Sequence, residues 1–187
     1  MAGPGTALLL IDLQRDVVRG LGGAPVAEAF ERVVERASGL LERARKRGFP
    51  VLHVQHDGEL GHRLERGTPG WELRPEVAPR GNEPVVHKRS PDAFFETKLI
   101  ELLGSQNIHR LVVAGCMTEY CIDTTCRRAV SAFRNVVLVS DGHTTGDSGA
   151  LGFQQIVDHH NRVLDGFSAG RWSVRTVPAA EVEWSLA

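Results

Sequence analysis

The chain lacks most of the features that mark specialised classes of protein. It has no excess of charge: 22 basic residues face 23 acidic ones in 187, a formal net charge of -1. Nucleic acid and anionic membranes are held by basic faces, and nothing in this balance points to either partner. It has no long apolar run. Ala7–Ile11 is short, has no basic residue before it and ends at Asp12, so it does not read as a signal peptide. No stretch approaches the ~20 apolar residues that cross a bilayer. Cysteine is scarce. The three cysteines, at 116, 121 and 126, are odd in number and match neither a disulfide nor a zinc spacing, so a reducing, cytoplasmic setting is expected. There is no internal repeat, no low-complexity tract and no linker. A chain of this length suits a single domain, residues 1–187, around one sizeable core.

What is present is an alternation. Ala7–Ile11, Pro50–Val54, Pro84–His87, Arg110–Ala114, Asn135–Ser140 and Ser173–Val177 read as six strands. The first, fourth and fifth are apolar at consecutive positions, as strands buried on both faces are. Between them come helical stripes: Val33, Ala37, Leu40, Leu41 and Ala44; Phe95, Leu99, Leu102 and Leu103; Ile122, Cys126, Ala129, Val130 and Phe133; Phe153, Ile156, Val157, His160 and Leu164. Such alternation predicts an α/β fold, a mostly parallel six-stranded Rossmann-like sheet in a three-layer α/β/α arrangement. Residues 57–83 are a long Gly-, Pro- and charge-rich interruption, which in a compact domain is usually a functional loop.

Ligands of such sheets bind beyond the carboxyl ends of the strands. The first strand ends at Asp12, the second near Gln55, His56 and Asp57, the third at Lys88, and the fifth at Asp141, Gly142 and His143. The fourth leads through Gly115, Cys116, Met117, Thr118, Glu119 and Tyr120 to Cys121. A free cysteine is most often a small buried hydrophobe. Cys126 on its apolar stripe and Cys116 at its strand end fit that description. Cys121 lies one residue off the stripe, where a helix is expected to begin, and free N–H groups there favour the nucleophilic thiolate. Asp12 is either a helix cap or the base that takes a thiol proton and returns it to a leaving amine. Lys88 is either a solvated strand-end charge or the cation that orients Asp12. His53, His56, Asp57 and His62 form a loose group that fits no strong metal spacing; metal ligation and polar pocket lining are both open for it. His160, on an apolar helix face, reads as a satisfied core histidine and His159 as a surface one.

The segments Leu-Leu-Ile-Asp-Leu-Gln-Arg-Asp (9–16), Val-Val-His-Lys (85–88), Val-Ala-Gly-Cys-Met-Thr-Glu-Tyr-Cys-Ile-Asp-Thr-Thr (113–125) and Val-Ser-Asp-Gly-His-Thr-Thr (139–145) occur in one order over nearly the whole chain. Together they resemble the isochorismatase-like cysteine hydrolases. The resemblance implies a triad in which Asp12 is general base and acid, Lys88 its cationic partner and Cys121 the nucleophile. It also implies a cis peptide between Cys116 and Met117, with the N–H groups of Met117 and Cys121 forming an oxyanion hole. The substrate it implies is a small amide, ureido or carbamoyl compound cleaved at a C–N bond through a thioester. No cofactor is implied, and a homodimer or homotetramer is. His56, Trp71, Phe94 and Tyr120 are expected to line the substrate pocket. The chain departs from nicotinamidases, which carry an Asp-x-His metal motif after the second strand; His56 and Gly58 stand at the comparable positions. It departs from vinyl-ether-cleaving isochorismatases in having Cys121. The rival readings are a hydrolase that uses the same pocket without a thioester, and a redox or binding module built on Cys121.

Overall fold

The computed structural model describes residues 5–184; the outermost residues of the expected domain, 1–4 and 185–187, lie outside the described residues. The element order is β1 (Thr6–Ile11), α1 (Gly23–Lys46), β2 (Val51–His56), β3 (Val85–Lys88), α2 (Leu99–Ser105), β4 (Arg110–Cys116), α3 (Asp123–Ser131), β5 (Asn135–Thr144), α4 (Phe153–Leu164), β6 (Ser168–Ala169) and β7 (Trp172–Val177). They build one sheet in the order β3-β2-β1-β4-β5-β7-β6. The sheet thus has seven strands, not the expected six. The extra strand, β6, is two residues long and pairs antiparallel with β7, too short to leave a hydrophobic period in the sequence. The other pairings are all parallel, so each needs a long crossover: helices supply most of them, and the long loop joins β2 to β3.

Strand alternation divides the core between the two faces. From β1, Leu8 and Leu10 join Phe30, Val33, Ala37, Leu40 and Leu41 of α1. Ala7, Leu9 and Ile11 point the other way and join Leu99, Leu103, Ile122, Cys126, Val130 and Leu164. Both faces being covered explains why β1 is apolar without a gap. Two helices are shorter than their apolar stripes. Phe95 precedes α2 and Phe133 follows α3, 54% and 67% exposed respectively. Among the described residues no helix is long and apolar enough to cross a membrane.

The centre of the sheet is set by a glycine. At Gly115 of β4 the backbone φ is 139°, and a Cβ there would stand 1.9 Å from the Ile11 carbonyl oxygen. Only glycine lets β4 pass so close to the end of β1. The register of β4 against β5 shifts between Val113 and Gly115, and β5 runs on to Thr144 instead of ending at Ser140. Asp141, expected at a strand end, therefore lies within β5. Its carboxylate accepts hydrogen bonds from Arg36 of α1 and from the Ala179 N–H.

Candidate active site

Asp12 leaves β1 in the left-handed region, with φ of 50°, a conformation aspartate tolerates better than most residues. Its N–H donates to the Val54 carbonyl of β2 at 2.9 Å, which fixes the turn and sends the carboxylate into the protein. Lys88 closes β3 and is buried too. Cys121 does not open α3, as the sequence suggested. It lies on a single π-helical turn, Thr118–Ile122, between β4 and α3, a distortion that recurs at functional sites. Of the three cysteines it alone is partly exposed.

The three strand-end groups meet. Lys88 Nζ stands 2.7 Å from Asp12 Oδ2 and donates to Cys121 Sγ at 3.1 Å and to the Ser90 carbonyl at 3.0 Å. Those three bonds use all the ammonium's donors. Asp12 Oδ1 is buried and has no hydrogen-bond partner among the described residues. Burial by itself would lower the Lys88 pKa, but the Asp12 carboxylate and the Cys121 sulfur outweigh it and hold the amine above its ordinary value. The thiol behaves opposite to expectation. Burial first, then the Asp12 charge, push Cys121 up to about 12, with Lys88 only partly opposing them. Burial and the Asp12 carboxylate thus favour the neutral thiol over a preformed thiolate.

The turn that carries Cys121 is held from behind. Thr118 Oγ1 lies 2.9 Å from His143 Nδ1, and His143 Nε2 lies 3.0 Å from Asn161 Oδ1. Asn161 uses its amide to donate to the Ser140 carbonyl, so its oxygen is an acceptor and the His143 proton is on Nε2. The Thr118 hydroxyl must then donate to Nδ1. Burial first, opposed by the Asn161 hydrogen bond, brings His143 down to about 4, so the ring stays neutral near pH 7. The peptide bond between Cys116 and Met117 is cis, as the resemblance implied.

A cavity of about 360 Å³ opens over the thiol, within the size range of small-ligand sites. Asp12, Cys121, Met117, His56 and Tyr120 line it together with His62, Arg63 and Leu64. Two expected lining residues lie elsewhere. Phe94 is packed into the core with Val54 and Val86. Trp71 is a strut for the long loop: its indole N–H donates to Asp57 Oδ1 at 2.8 Å and its ring stacks on His87. Aromatic residues in a Gly/Pro-rich loop carry no period, so nothing in the sequence told pocket from strut. The loose His/Asp group also disperses. His53 faces Glu83, Asp57 faces Trp71 and His87, and only His56 and His62 approach each other. Among the described residues no three potential metal-ligating side chains come together. His160 is satisfied by the Ile156 carbonyl but half-buried, and His159 is exposed.

Sequence reasoning missed Gln14 and Arg63. Gln14 is fully buried, donates to the carbonyls of His56 and Trp71, and accepts from the His56 N–H. It ties the end of β2 to the long loop. Gln14 lies three residues past β1, where nothing in the sequence signalled its burial; once buried, such a side chain must find partners.

The Isochorismatase domain matches residues 6–168. A streptothricin hydrolase from Streptomyces noursei is 41% identical over 141 residues, covering 75% of this chain and 50% of the relative; the chain thus spans about half the length of that protein. Maleamate amidohydrolase from Pseudomonas putida is 34% identical over 158 residues, covering 74% of this chain and 73% of the relative. The crystal structure of an isochorismatase from Pseudomonas putida superposes with a TM-score of 0.83 at 30% identity, covering 96% of this chain and 91% of that one. With most of its length matched and the fold shared, the chain belongs to the isochorismatase family.

Proposed function

We propose that the protein is a cysteine-dependent amidohydrolase that cleaves a non-peptide C–N bond of a small amide, ureido or carbamoyl compound through a thioester. One observation carries the reading: a single ammonium, Lys88, contacts both Asp12 Oδ2 and Cys121 Sγ, while Asp12 Oδ1 has no partner. A salt bridge that served structure alone would have no reason to include a thiol or to leave a carboxylate oxygen bare. Relatives named for amide hydrolysis, such as maleamate amidohydrolase, support the same reaction class.

Burial and Asp12 favour the neutral thiol, so proton transfer accompanies attack in this reading. Asp12 takes the Cys121 proton as the sulfur forms its bond to the substrate carbonyl carbon. Lys88 stabilises the charge left on sulfur. The carbonyl π electrons move to oxygen, where the Met117 and Cys121 N–H groups receive them; one such donor is typically worth ~3–4 kcal/mol. Collapse of the tetrahedral adduct breaks the C–N bond, and Asp12 protonates the departing nitrogen. The thioester remains on Cys121. Water then gives a proton to Asp12 and adds to the thioester, and the acid leaves as Asp12 returns that proton to the sulfur.

The test is ammonia release from a panel of small amides, ureas and carbamoyl compounds by wild-type protein and by Cys121→Ala. Turnover by the wild type that disappears in a folded Cys121→Ala protein is expected. Near-normal turnover by Cys121→Ala would instead favour hydrolysis without a thioester. No turnover on any compound, together with reversible oxidation of Cys121, would favour a redox module.

A further inference from the structure

The fold gathers several unusual features behind one hydroxyl, that of Thr118. β5 does not run straight beside β4. Val113 pairs with Leu138 and Gly115 with His143, so two steps along β4 match five along β5. The surplus residues bulge, and a bulge re-aims the side chains beside it. Gly142 lets the bulge close: a Cβ there would stand 2.7 Å from Val139 Cγ1 and 3.3 Å from Ala114 Cβ. Without the bulge Ser140 would stand opposite Gly115; with it His143 does, and its ring is buried beneath the turn that carries Cys121.

There the ring joins Thr118 to Asn161 of α4 in one chain of hydrogen bonds whose polarity is fixed throughout. The Asn161 amide donates to the Ser140 carbonyl at 2.9 Å, its oxygen accepts from His143 Nε2 at 3.0 Å, and His143 Nδ1 is left to accept the Thr118 hydroxyl at 2.9 Å. Thr118 is sealed from solvent, so no water competes for that hydroxyl, and the neutral ring offers it one lone pair in one place.

The position of Thr118 gives the chain of bonds a chemical meaning. It opens the π turn Thr118–Ile122, with Met117 before it and Cys121 three residues after it. The two N–H groups assigned above to the oxyanion therefore stand on either side of it. The Tyr120 and Ile122 N–H groups both donate to the Met117 carbonyl, at 3.2 and 3.1 Å, so the turn and residue 117 move as one piece. An anchor on the first residue of the turn sets the attitude of both donors and of the sulfur.

We infer that Asn161, His143 and Thr118 form a positioning relay that holds the Met117 and Cys121 N–H groups and the Cys121 sulfur in line with the reacting carbonyl. This rests on the amidase reading above. None of the three lines the cavity over Cys121, so they act through the turn and not on the substrate. The oxyanion exists only in the transition state and the intermediate, so loosening the turn slows the chemical step and spares binding.

The test uses p-nitrophenyl acetate, which reads acylation whatever the natural substrate is. The Cys121 sulfur forms the thioester, the ester C–O bond breaks, p-nitrophenolate leaves with the bonding pair, and the thiol proton passes to Asp12. Release is followed by stopped-flow absorbance, with Cys121→Ala subtracted. Thr118→Val keeps the shape and loses the hydroxyl; it should lower the maximal acylation rate by about 10–100-fold and leave the half-saturating concentration within about threefold. His143→Leu should match it. Thr118→Ser keeps a donor, and His143→Gln offers an amide that accepts from Thr118 and donates to Asn161, so both should recover most of the rate. Thr118→Val and His143→Leu combined should be no slower than the slower single variant, because they break the same relay. If Thr118→Val does not fold, Asn161→Ala, at the half-buried end of the relay, decides: a rate about 3–10-fold down supports the relay, and a wild-type rate overturns it. Thr118→Val with native circular dichroism and a wild-type rate, a loss confined to the half-saturating concentration, or losses that multiply in the double variant overturns the relay and leaves the amidase reading standing. No Cys121-dependent release by the wild type overturns both.

Discussion

Two ion clusters flank β2, one half-buried and one buried, and they are built to opposite ends. In one, Glu83 of the long loop meets Arg45 of α1 and His53 of β2. Both carboxylate oxygens are filled: Oε1 accepts Arg45 Nε at 2.8 Å, and Oε2 accepts Arg45 Nη2 at 2.7 Å, the Arg80 N–H at 2.9 Å and His53 Nε2 at 3.1 Å. In the other, Asp12 has one oxygen on Lys88 and the second on nothing. The first cluster is saturated, anchors the loop and has no acceptor left for a proton. The second keeps an acceptor open beside a thiol. The difference separates a structural use of buried charge from a chemical one.

The largest effect should come from closing the open acceptor. Asp12→Asn replaces the bare carboxylate oxygen with a group that takes no proton. Steady-state ammonia release should fall by about 10²–10⁴, with the circular dichroism spectrum unchanged. Removing the cation should damage stability as well as activity. Lys88→Met leaves a buried carboxylate without its partner, a loss of about 3–5 kcal/mol in denaturant titration. The saturated cluster should respond in the reverse sense. Glu83→Gln should lower stability by about 1–3 kcal/mol while turnover per folded molecule stays within about threefold, an activity assay normalised to native protein being the check.

That stability loss should depend on pH. Burial alone would raise the Glu83 pKa, but Arg45, the Arg80 N–H and His53 overcome it and bring the group down to about 2. The folded-state value is depressed, so the stabilisation is fully present above the unfolded pKa of about 4.3 and is lost as pH falls from there towards 2. Denaturation curves of wild type and Glu83→Gln should therefore converge in acid; a gap that is constant from neutral pH downwards would contradict the saturated-pair reading. The smallest expected effect is spectroscopic. The Cys121 thiol is pushed up to about 12 by burial and by Asp12, so its ultraviolet thiolate signal, taken as a difference from Cys121→Ala, should rise only in strong alkali. Asp12→Asn should move that rise to lower pH.

Much of this was legible in the sequence. The apolar runs of β1, β4 and β5 gave a parallel sheet, and strand ends brought Asp12, Lys88 and Cys121 to one edge. The local shape around Cys121 was not legible, because a π turn and an α-helix start share one apolar pattern. Nor was the thiol's resting state. A helix terminus would have lowered its pKa, whereas burial and a neighbouring carboxylate raise it, and those are tertiary facts. The long loop was hardest. Trp71, Glu83 and Arg63 have no period to betray their faces, and they proved to be a strut, an anchor and a cavity wall.

The central claim is that Cys121 becomes the acyl acceptor. Intact-mass and peptide mass spectrometry, on enzyme acid-quenched during turnover of an amide it hydrolyses, tests this most directly. The expected result is an adduct equal to the substrate less ammonia or amine, located on the peptide that contains Cys121 and absent from Cys121→Ala. Turnover at the same rate with no adduct at any quench time, or with the adduct on another residue, would contradict it.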